Sequence, residues 1–297
     1  MTKIGILTCN EYLPEKKGDW YREQIHLEEE ILINSFQSSG IQAERVSWSD
    51  INIDWSSYVA IIFRSTWEYQ KSPDRFLEWI SLVKGQTILI NSEKMILWNL
   101  DKHYLSEFAE KGFRIIPTIF LDKDNYVETI ENSMQIFESD SVLIKPCISA
   151  GARNTFKFKD FNSFSILKIL DEYIQQEDYI LQPFFEEVQK QGEISHILIG
   201  GRYTHSVLKK PARGDFRVQD EHGGKVYSYL ASKREIDFAE SLIASCFELP
   251  YYSRVDCLKR DDESYLMELE CIEPELFFRF QPESSNELVD FLKRRIL

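Results

Sequence analysis

At 297 residues, the chain is long enough to bury a sizeable core and to form two or three lobes, which argues against a single small module. Lys and Arg number 35 against 49 Asp and Glu, and the net charge of −14 argues against a protein held to nucleic acid by its overall field. No segment approaches the roughly 18 continuous apolar residues of a membrane span, and the five cysteines lack CxxC spacing, so we expect a cytoplasmic protein with reduced thiols.

The first ninety residues alternate short apolar strands with amphipathic helices. Strands are expected at residues 3–9, 42–48, 58–63 and 87–90, and helices at 21–39 and 72–84. Glycine follows each helix, at Gly40 and Gly85, where it ends the helical pattern. Such alternation predicts a parallel sheet flanked by helices.

In the remaining two-thirds of the chain, helices and strands alternate at first and antiparallel hairpins follow. Helices are expected at 99–112, with Lys102 near the start, and at 126–138, 162–176, 235–247 and 286–296, with strands at 141–145 and 179–185. Strands at 193–199 and 202–208, joined by Gly200 and Gly201, form an antiparallel hairpin. We expect an N-terminal α/β domain at 1–98, a central lobe at 99–180 and a C-terminal lobe at 181–297.

A second hairpin, at residues 254–270, gathers carboxylates. Glu268 and Glu270 lie two residues apart and point to one face of their strand, with Met267, Leu269 and Cys271 on the opposite face. A turn centred on residue 262 sets Asp256 opposite Glu268 and Arg254 opposite Glu270. Like charges facing each other across a ladder are destabilising, so the acids need either a metal ion or basic partners. Oxygen ligands favour magnesium or manganese, whereas an ion pair of Glu270 with Arg254 would make the hairpin purely structural.

Two lysines and a loop of small residues are candidates for binding phosphate. Lys145 ends the apolar strand at 141–145, where α/β proteins place ligand groups. The small residues Ser149, Ala150 and Gly151 follow, and they would let backbone N–H groups approach an anion. An ordinary surface turn and a solvated Lys102 are the alternatives.

The strand at 179–185 ends in Gln182, Pro183, Phe184 and Phe185, and Glu193 follows it. An adenine could lie against this strand while a carboxylate holds the ribose hydroxyls, although a core strand is the commoner meaning.

Four cations, Lys209, Lys210, Arg213 and Arg217, fall within nine residues of a strongly acidic chain. Such a cluster would bind polyphosphate, and a solvated loop is the alternative. The glycine-containing segment at 222–224 is suited to folding over phosphates.

The order of these features resembles the ATP-grasp superfamily, most nearly its glutathione-synthetase-like branch, over residues 99–274. In that family a metal-binding Glu-x-Asn is followed by Pro after three intervening residues, and Glu268 and Glu270 hold the same offsets from Pro274, with Glu in place of Asn. The resemblance implies an α/β protein of the α+β ATP-grasp type. An N-terminal parallel α/β lobe then precedes two ATP-grasp lobes that hold the nucleotide between them.

The resemblance also implies residue roles, with ATP and Mg²⁺ or Mn²⁺ as cofactors. The metal set is Asp256, Glu268 and Glu270. The nucleotide set is Lys102, Lys145, Ser149, Ala150, Gly151, Gln182, Pro183, Phe184, Phe185 and Glu193, the last with one residue inserted before it. Lys209 and Arg217 match two basic residues of the catalytic step, and Arg217 looks like the arginine that binds the transferred phosphate.

Near the end of an early apolar strand, Arg64, Ser65, Thr66 and Trp67 resemble a segment in the subgroup that includes the ATP-grasp cyclo-ligase of D-cycloserine formation. At that position Arg64 could bind a substrate carboxylate through its forked guanidinium, or it could form a structural ion pair.

The implied function is an ATP-dependent ligase that joins a small amino-acid- or peptide-like carboxylate to an amine through an acylphosphate. An intramolecular cyclo-ligase of an amino-acid derivative is the alternative within the class. A non-catalytic ATP-binding regulatory protein is the alternative outside it. The expected partners are small-molecule carboxylate and amine substrates, with neither nucleic acid nor membrane, and a homo-oligomer is left open.

Overall fold

Three β-sheets organise the computed structural model of the protein. It describes residues 2–14, 18–133, 137, 139, 141–149, 151, 153–159, 163–215, 217–218 and 223–296. Among these residues no helix is long and apolar enough to cross a membrane.

The N-terminal domain is a four-stranded sheet in the order β2-β1-β3-β4, and every neighbouring pair is parallel. Its strands are β1 (Lys3–Thr8), β2 (Gln42–Ser47), β3 (Ala60–Ser65) and β4 (Ile88–Ile90). Its helices are α1 (Trp20–Ser38) and α2 (Pro73–Val83). Every residue of β3 is buried, as expected for a central parallel strand covered on both faces. The predicted parallel sheet flanked by helices is confirmed.

Two short helices, α3 (Glu93–Leu100) and α4 (Tyr104–Glu110), lead to the second sheet. The single helix predicted for 99–112 is therefore wrong. Asp101 Oδ1 accepts a hydrogen bond from His103 N at 3.0 Å, and Lys102 N donates to Cys147 O at 3.0 Å. Because an Asp side chain that binds nearby backbone competes with helical hydrogen bonds, the helix ends before Lys102.

The central sheet is antiparallel, in the order β5-β8-β6-β7. Its strands are β5 (Ile119–Leu121), β6 (Ser141–Pro146), β7 (Phe156–Lys159) and β8 (Tyr179–Pro183). Its helices are α5 (Tyr126–Ser133) and α6 (Ser163–Tyr173). The end of the helix predicted for 126–138 and the start of that predicted for 162–176 lie outside the described residues.

The C-terminal sheet has five antiparallel strands in the order β11-β10-β9-β12-β13. The strands are β9 (Glu193–Ile199), β10 (Arg202–Lys210), β11 (Lys225–Tyr229), β12 (Tyr252–Arg260) and β13 (Glu263–Glu270). The helices are α7 (Glu187–Lys190), α8 (Lys233–Ala244) and α9 (Glu283–Arg295). Both predicted hairpins are present, as β9–β10 and β12–β13.

The apolar cores show which parts of the chain pack together. One core joins β1 and α1 of the N-terminal domain to Leu288, Val289 and Leu292 of α9. The core of the central sheet, by contrast, is built from buried residues between Leu121 and Leu181. The N-terminal domain and the C-terminal lobe therefore share a core, while the central sheet has a core of its own and also packs against the C-terminal lobe through Ile180 and Phe184.

Candidate active site

A cavity of about 440 Å³, here called the main cavity, is lined by residues from all three sheets or the loops beside them. This volume lies in the range of small-molecule sites. The wall includes most of the residues that the sequence singled out: Lys102, Lys145, Ser149, Gly151, Gln182, Pro183, Phe184, Phe185, Glu193, Lys209, Arg217, Asp256, Glu268, Glu270 and Trp67. Ala150 lies outside the described residues.

The carboxylate hairpin has the predicted register at the cavity. Asp256 lies opposite Glu268, and Arg254 lies opposite Glu270. The chain reaches this register by a different route, because the two-residue turn is formed by Asp261 and Asp262, both with positive φ.

A β-bulge between Asp256 and Cys257 then shifts the pairing by one residue. Because a bulge re-aims the side chains beside it, Met267 lines the main cavity next to Glu268. Leu269 and Cys271 pack in the core on the other face. The prediction that Met267 shares their face is therefore wrong.

Basic side chains surround the carboxylates. Arg254 Nη2 lies 2.9 Å from Asp256 Oδ2 and also contacts Glu270, while Lys209 Nζ lies 3.2 Å from Asp256 Oδ2. Lys102 Nζ lies 3.1 Å from Glu268 Oε1. The structural ion pair of Arg254 with Glu270, which the sequence offered as an alternative, is thus present. Lys145 Nζ also lies 3.9 Å from Glu268 Oε2, so three lysines join Arg254 around the carboxylates.

The neighbouring charges lower the pKa of Asp256, whereas the pKa of Glu270 is raised. Burial alone would raise the pKa of Asp256, but the charges of Arg254 and Lys209 hold it well below its usual range. Burial raises the pKa of Glu270 to about 8, and Asp256 and Glu268 add to this rise although Arg254 opposes it. The three acids offer only oxygen ligands, which fit a hard divalent cation such as Mg²⁺ or Mn²⁺.

Lys102 and Lys145 converge on Glu268 from different elements. Lys102 lies between α3 and α4, is buried, and donates from Nζ to Ser149 O at 2.6 Å. Burial lowers the pKa of Lys145, which Glu268 opposes. The hydrogen bond from Lys102 to Ser149 holds the loop after β6 at the cavity, and Gly151 in that loop has a φ of 59°. A solvated Lys102 is excluded.

The end of β8 forms an apolar wall. Gln182 Nε2 donates to Thr118 Oγ1 at 2.8 Å, and Lys157 Nζ lies 3.3 Å from the centre of the Phe184 ring. Sequence reasoning missed most of the apolar residues beside this strand. They are Ile116, Leu143, Val188, Val218, Leu258 and Met267. They come from separate elements, so no local pattern connects them. Together they offer a flat ring an apolar slot.

Glu193 and Lys209 form an ion pair across β9 and β10. Burial raises the pKa of Glu193, and Lys209 opposes this shift. A ribose-binding Glu193 would therefore share its carboxylate with Lys209.

Arg217 also lines the main cavity, and its Nη2 lies 2.8 Å from Asp215 Oδ2.

Arg64 lies apart from the main cavity. It is buried, donates from Nη2 to Pro274 O, and has its guanidinium carbon 5.3 Å from the centre of the Tyr252 ring. Ser65 donates to Glu29, and the Thr66 hydroxyl is buried. Of the four residues in this segment, only Trp67 lines the main cavity, and its Nε1 donates to Glu273 O at 3.1 Å.

Sequence reasoning also missed Glu273, which lines the main cavity next to Pro274. Burial raises its pKa to about 7, and the hydrogen bond from Tyr69 opposes this rise. The available signal was the position of Glu273 three residues after Glu270, but spacing alone does not show whether a residue lines the cavity.

Comparisons with known proteins match the chain in two parts. Residues 4–91 match the family model of the D-cycloserine synthetase DcsG N-terminal domain, and residues 104–248 match that of the prokaryotic glutathione synthetase ATP-grasp domain. The cycloserine biosynthesis protein DcsG of Streptomyces lavendulae is 24% identical over 280 residues, which cover 89% of this chain and 92% of that protein. A glutathione synthetase of Rhodopseudomonas palustris is 22% identical over 194 residues, and the match covers 64% of this chain and 58% of that protein.

Solved structures give the same picture of the fold. A crystal structure of D-cycloserine synthetase DcsG superposes with a TM-score of 0.87 at 22% identity, over 99% of this chain and 100% of that one. A D-alanine–D-alanine ligase from Bacillus anthracis superposes with a TM-score of 0.64 at 13% identity, over 99% and 97% of the two chains.

Proposed function

The chain belongs to the ATP-grasp superfamily, with a domain of the glutathione-synthetase type, and from that premise we propose that it joins a small amino-acid- or peptide-like carboxylate to an amine through an acylphosphate. ATP supplies the phosphoryl group. The alternative of a non-catalytic ATP-binding protein is not favoured, because the acids and cations of phosphoryl transfer all line one cavity.

The convergence of Asp256, Glu268 and Glu270 with Lys102 and Lys145 carries this proposal. A loose phosphoryl transition state needs positioning and charge neutralisation more than it needs a protein nucleophile. Lys102 and Lys145, largely buried and held beside Glu268, supply both, because charges act more strongly away from bulk water.

We assign the roles as follows. The substrate carboxylate oxygen attacks the γ-phosphorus of ATP, the bond to the β-phosphate oxygen breaks, and ADP leaves. An amine then attacks the acyl carbon, loses a proton and displaces phosphate. Lys102 and Lys145 hold the nucleotide phosphates, and Lys209 and Arg217 meet the charge that moves with the transferred group. The wall at Phe184 and Phe185 receives the adenine.

Asp256, Glu268 and Glu270 would hold magnesium or manganese. When bound, the metal supplies charge neutralisation at the phosphates. Lys102 contacts Glu268 and Arg254 contacts Glu270, so a metal at these carboxylates would share their oxygens with the two cations.

The match of residues 4–91 to the DcsG N-terminal domain favours a second candidate, an intramolecular cyclo-ligase. The carboxylate and the amine would then belong to one amino-acid derivative. Product mass distinguishes the two functions, because ring closure gives the mass of a single substrate less one water, whereas ligation gives the mass of two substrates less one water.

A screen of amino acids and dipeptides for substrate-dependent release of ADP and phosphate tests the proposal. With an active substrate, Glu268→Gln should lower turnover by at least about 100-fold while the fold persists, because a metal carboxylate is lost. Glu263→Gln is the matched control, since Glu263 is exposed on the same strand. Metal-dependent turnover at the wild-type rate in Glu268→Gln would rule out the metal assignment.

A further inference from the structure

A second cavity of about 30 Å³, here called the side pocket, adjoins the main cavity. The two share Tyr21, Trp67 and Glu275 in their walls. Glu28 of α1 and Arg64 of β3 line the side pocket only. Nothing in the proposed transfer of phosphate uses these two residues.

Each of the two residues has one satisfied and one free polar atom. Arg64 is 3% exposed, and its Nη2 donates to Pro274 O, while Nη1 has no hydrogen-bond partner among the described residues. Glu28 is 5% exposed, and its Oε1 accepts from Phe278 N at 3.1 Å, while Oε2 lacks a partner within the same part of the chain. Leaving a buried donor or acceptor unpaired is unfavourable, so this pocket is suited to a polar ligand.

The other charged groups of the side pocket are already paired. Glu29 contacts both Arg45 and Ser65, and Glu275 contacts Arg279. The unpaired donor, Nη1, therefore belongs to the cation Arg64, and the unpaired acceptor, Oε2, belongs to the acid Glu28. A ligand end that carries one positive and one negative group complements them without leaving net charge buried.

Size restricts this ligand end. A water molecule needs about 10–15 Å³ of cavity volume, so a side pocket of about 30 Å³ holds about two water-sized groups. An amino nitrogen and one carboxylate oxygen of the same α-carbon meet this limit. A complete amino acid exceeds it, and its remainder must extend into the main cavity.

We propose that the side pocket binds the amino-carboxylate end of an α-amino acid, with the ammonium at Glu28 Oε2 and one carboxylate oxygen at Arg64 Nη1. This inference rests on the proposed ligase function and names its carboxylate substrate. Because Arg64 has one free Nη, it contacts one carboxylate oxygen. The second oxygen stays available to attack the γ-phosphorus of ATP, with ADP as the leaving group.

A ligand series tests the assignment on the full-length protein. Calorimetry in saturating magnesium and a non-hydrolysable ATP analogue would measure binding of α-amino acids of both hands. Each binder is compared with its des-amino acid and its α-carboxamide. We expect at least one α-amino acid to bind, and both analogues to bind about tenfold more weakly or worse, because the des-amino acid loses the ammonium group that donates to Glu28 and the carboxamide loses the negative charge beside Arg64.

Two variants assign the contacts. Glu28→Gln should reduce the preference for the amino acid over its des-amino analogue towards unity, whereas Arg64→Lys should weaken both ligands alike because the fork is lost. Glu30→Gln, an exposed change on the same helix, should bind as the wild type does. A purely structural Glu28 would instead lower the melting temperature of its variant and leave that preference unchanged.

The outcomes separate this inference from the proposed function. If no α-amino acid binds while another carboxylate supports ADP release, or if des-amino acids or carboxamides bind equally well, the side pocket does not recognise this end and the ligase function stands. If the ATP analogue itself does not bind, the proposed function fails first.

Discussion

Asp256 and Glu270 lie on adjoining strands, yet their pKa values shift in opposite directions. Asp256 receives hydrogen bonds from Ser195 and Arg254 and lies beside Lys209, whereas Glu270 contacts Arg254 and lies near two other acids. Residue type and strand spacing predicted that these acids converge. They could not predict that Asp256 also obtains Lys209 and Ser195, because those partners come from β10 and β9, 47 and 61 residues away.

Lys145→Ala should weaken ATP binding, whereas Arg217→Ala should chiefly lower the turnover rate. Lys145 lies beside Glu268 in the main cavity and is proposed to hold the nucleotide, while Arg217 is expected to act when charge moves in the transition state. Calorimetry and steady-state kinetics would separate the two defects. Lys159→Ala, at an exposed position of β7, is the control. Normal ATP affinity in Lys145→Ala would show that this lysine is structural.

His205 should make the protein less stable in mild acid. Burial lowers its pKa to about 4 against an ordinary value of 6.5, although backbone hydrogen bonds at Leu276 and Phe277 oppose the shift. The unfolded chain therefore takes up the proton first, and stability is lost as the pH falls from 6.5 towards 4. Between pH 7.5 and 5.5 the free energy of unfolding should fall by about 1 kcal/mol more in the wild type than in His205→Gln. Equal losses in urea titrations would contradict this.

At the scale of elements, the sequence was informative where a pattern is local and uninformative where contacts are distant. The period of two in β13 and the turn residues fixed the hairpin, but the bulge that turns Met267 into the cavity leaves no simple signal. The helix at 99–112 was mispredicted because an Asp that binds nearby backbone can lie within an otherwise helical pattern. Strands β5, β7 and β11 were not predicted. All three lie at sheet edges and have few buried residues, so their apolar pattern is weak.

Gly192, directly before β9, should tolerate no side chain. Its φ is +99°, and an added Cβ would lie 2.5 Å from Lys209 O, which is backbone and cannot swing aside. Gly192→Ala should therefore displace Lys209 from Glu193, destabilise the protein by about 2 kcal/mol or more and lower turnover. Gly214→Ala is the matched control, with a φ of +89° and open space around the new Cβ. Chemical denaturation of both variants would reveal the difference, and equal losses would attribute the effect to φ alone.

At the scale of the molecule, the central sheet has a core of its own, formed within residues 121–181, whereas the N-terminal domain and the C-terminal lobe share one. A movement of the central sheet as a unit would keep that core intact, although Ile180 and Phe184 also pack with the C-terminal lobe. The sequence predicted three lobes, but it could not show which of them share a core, because the residues that join them are far apart in the chain.

We expect the segment from about residue 115 to 176 to close over ATP as a lid, because an acylphosphate must be protected from water. Lys102 already holds Ser149 of the loop after β6. Saturating Mg-ATP should slow hydrogen exchange at residues 147–151, and exchange in α9 should not change. Unaltered exchange at 147–151 would argue against closure.

The core shared by α1 and α9 also determines the order in which the protein can fold during synthesis. Ser35 of α1 lies 2.7 Å, oxygen to oxygen, from Ser285 of α9, a contact between residues 250 positions apart. The ribosome makes Ile4, Ile6 and Phe36 early, but Leu288 and Leu292, which bury them, emerge much later. Contacts of such long range form slowly, and an apolar surface left open favours association with other chains. Throughout most of translation, then, the growing polypeptide presents an incomplete first domain, and this interval is when chaperones have the most surface to bind.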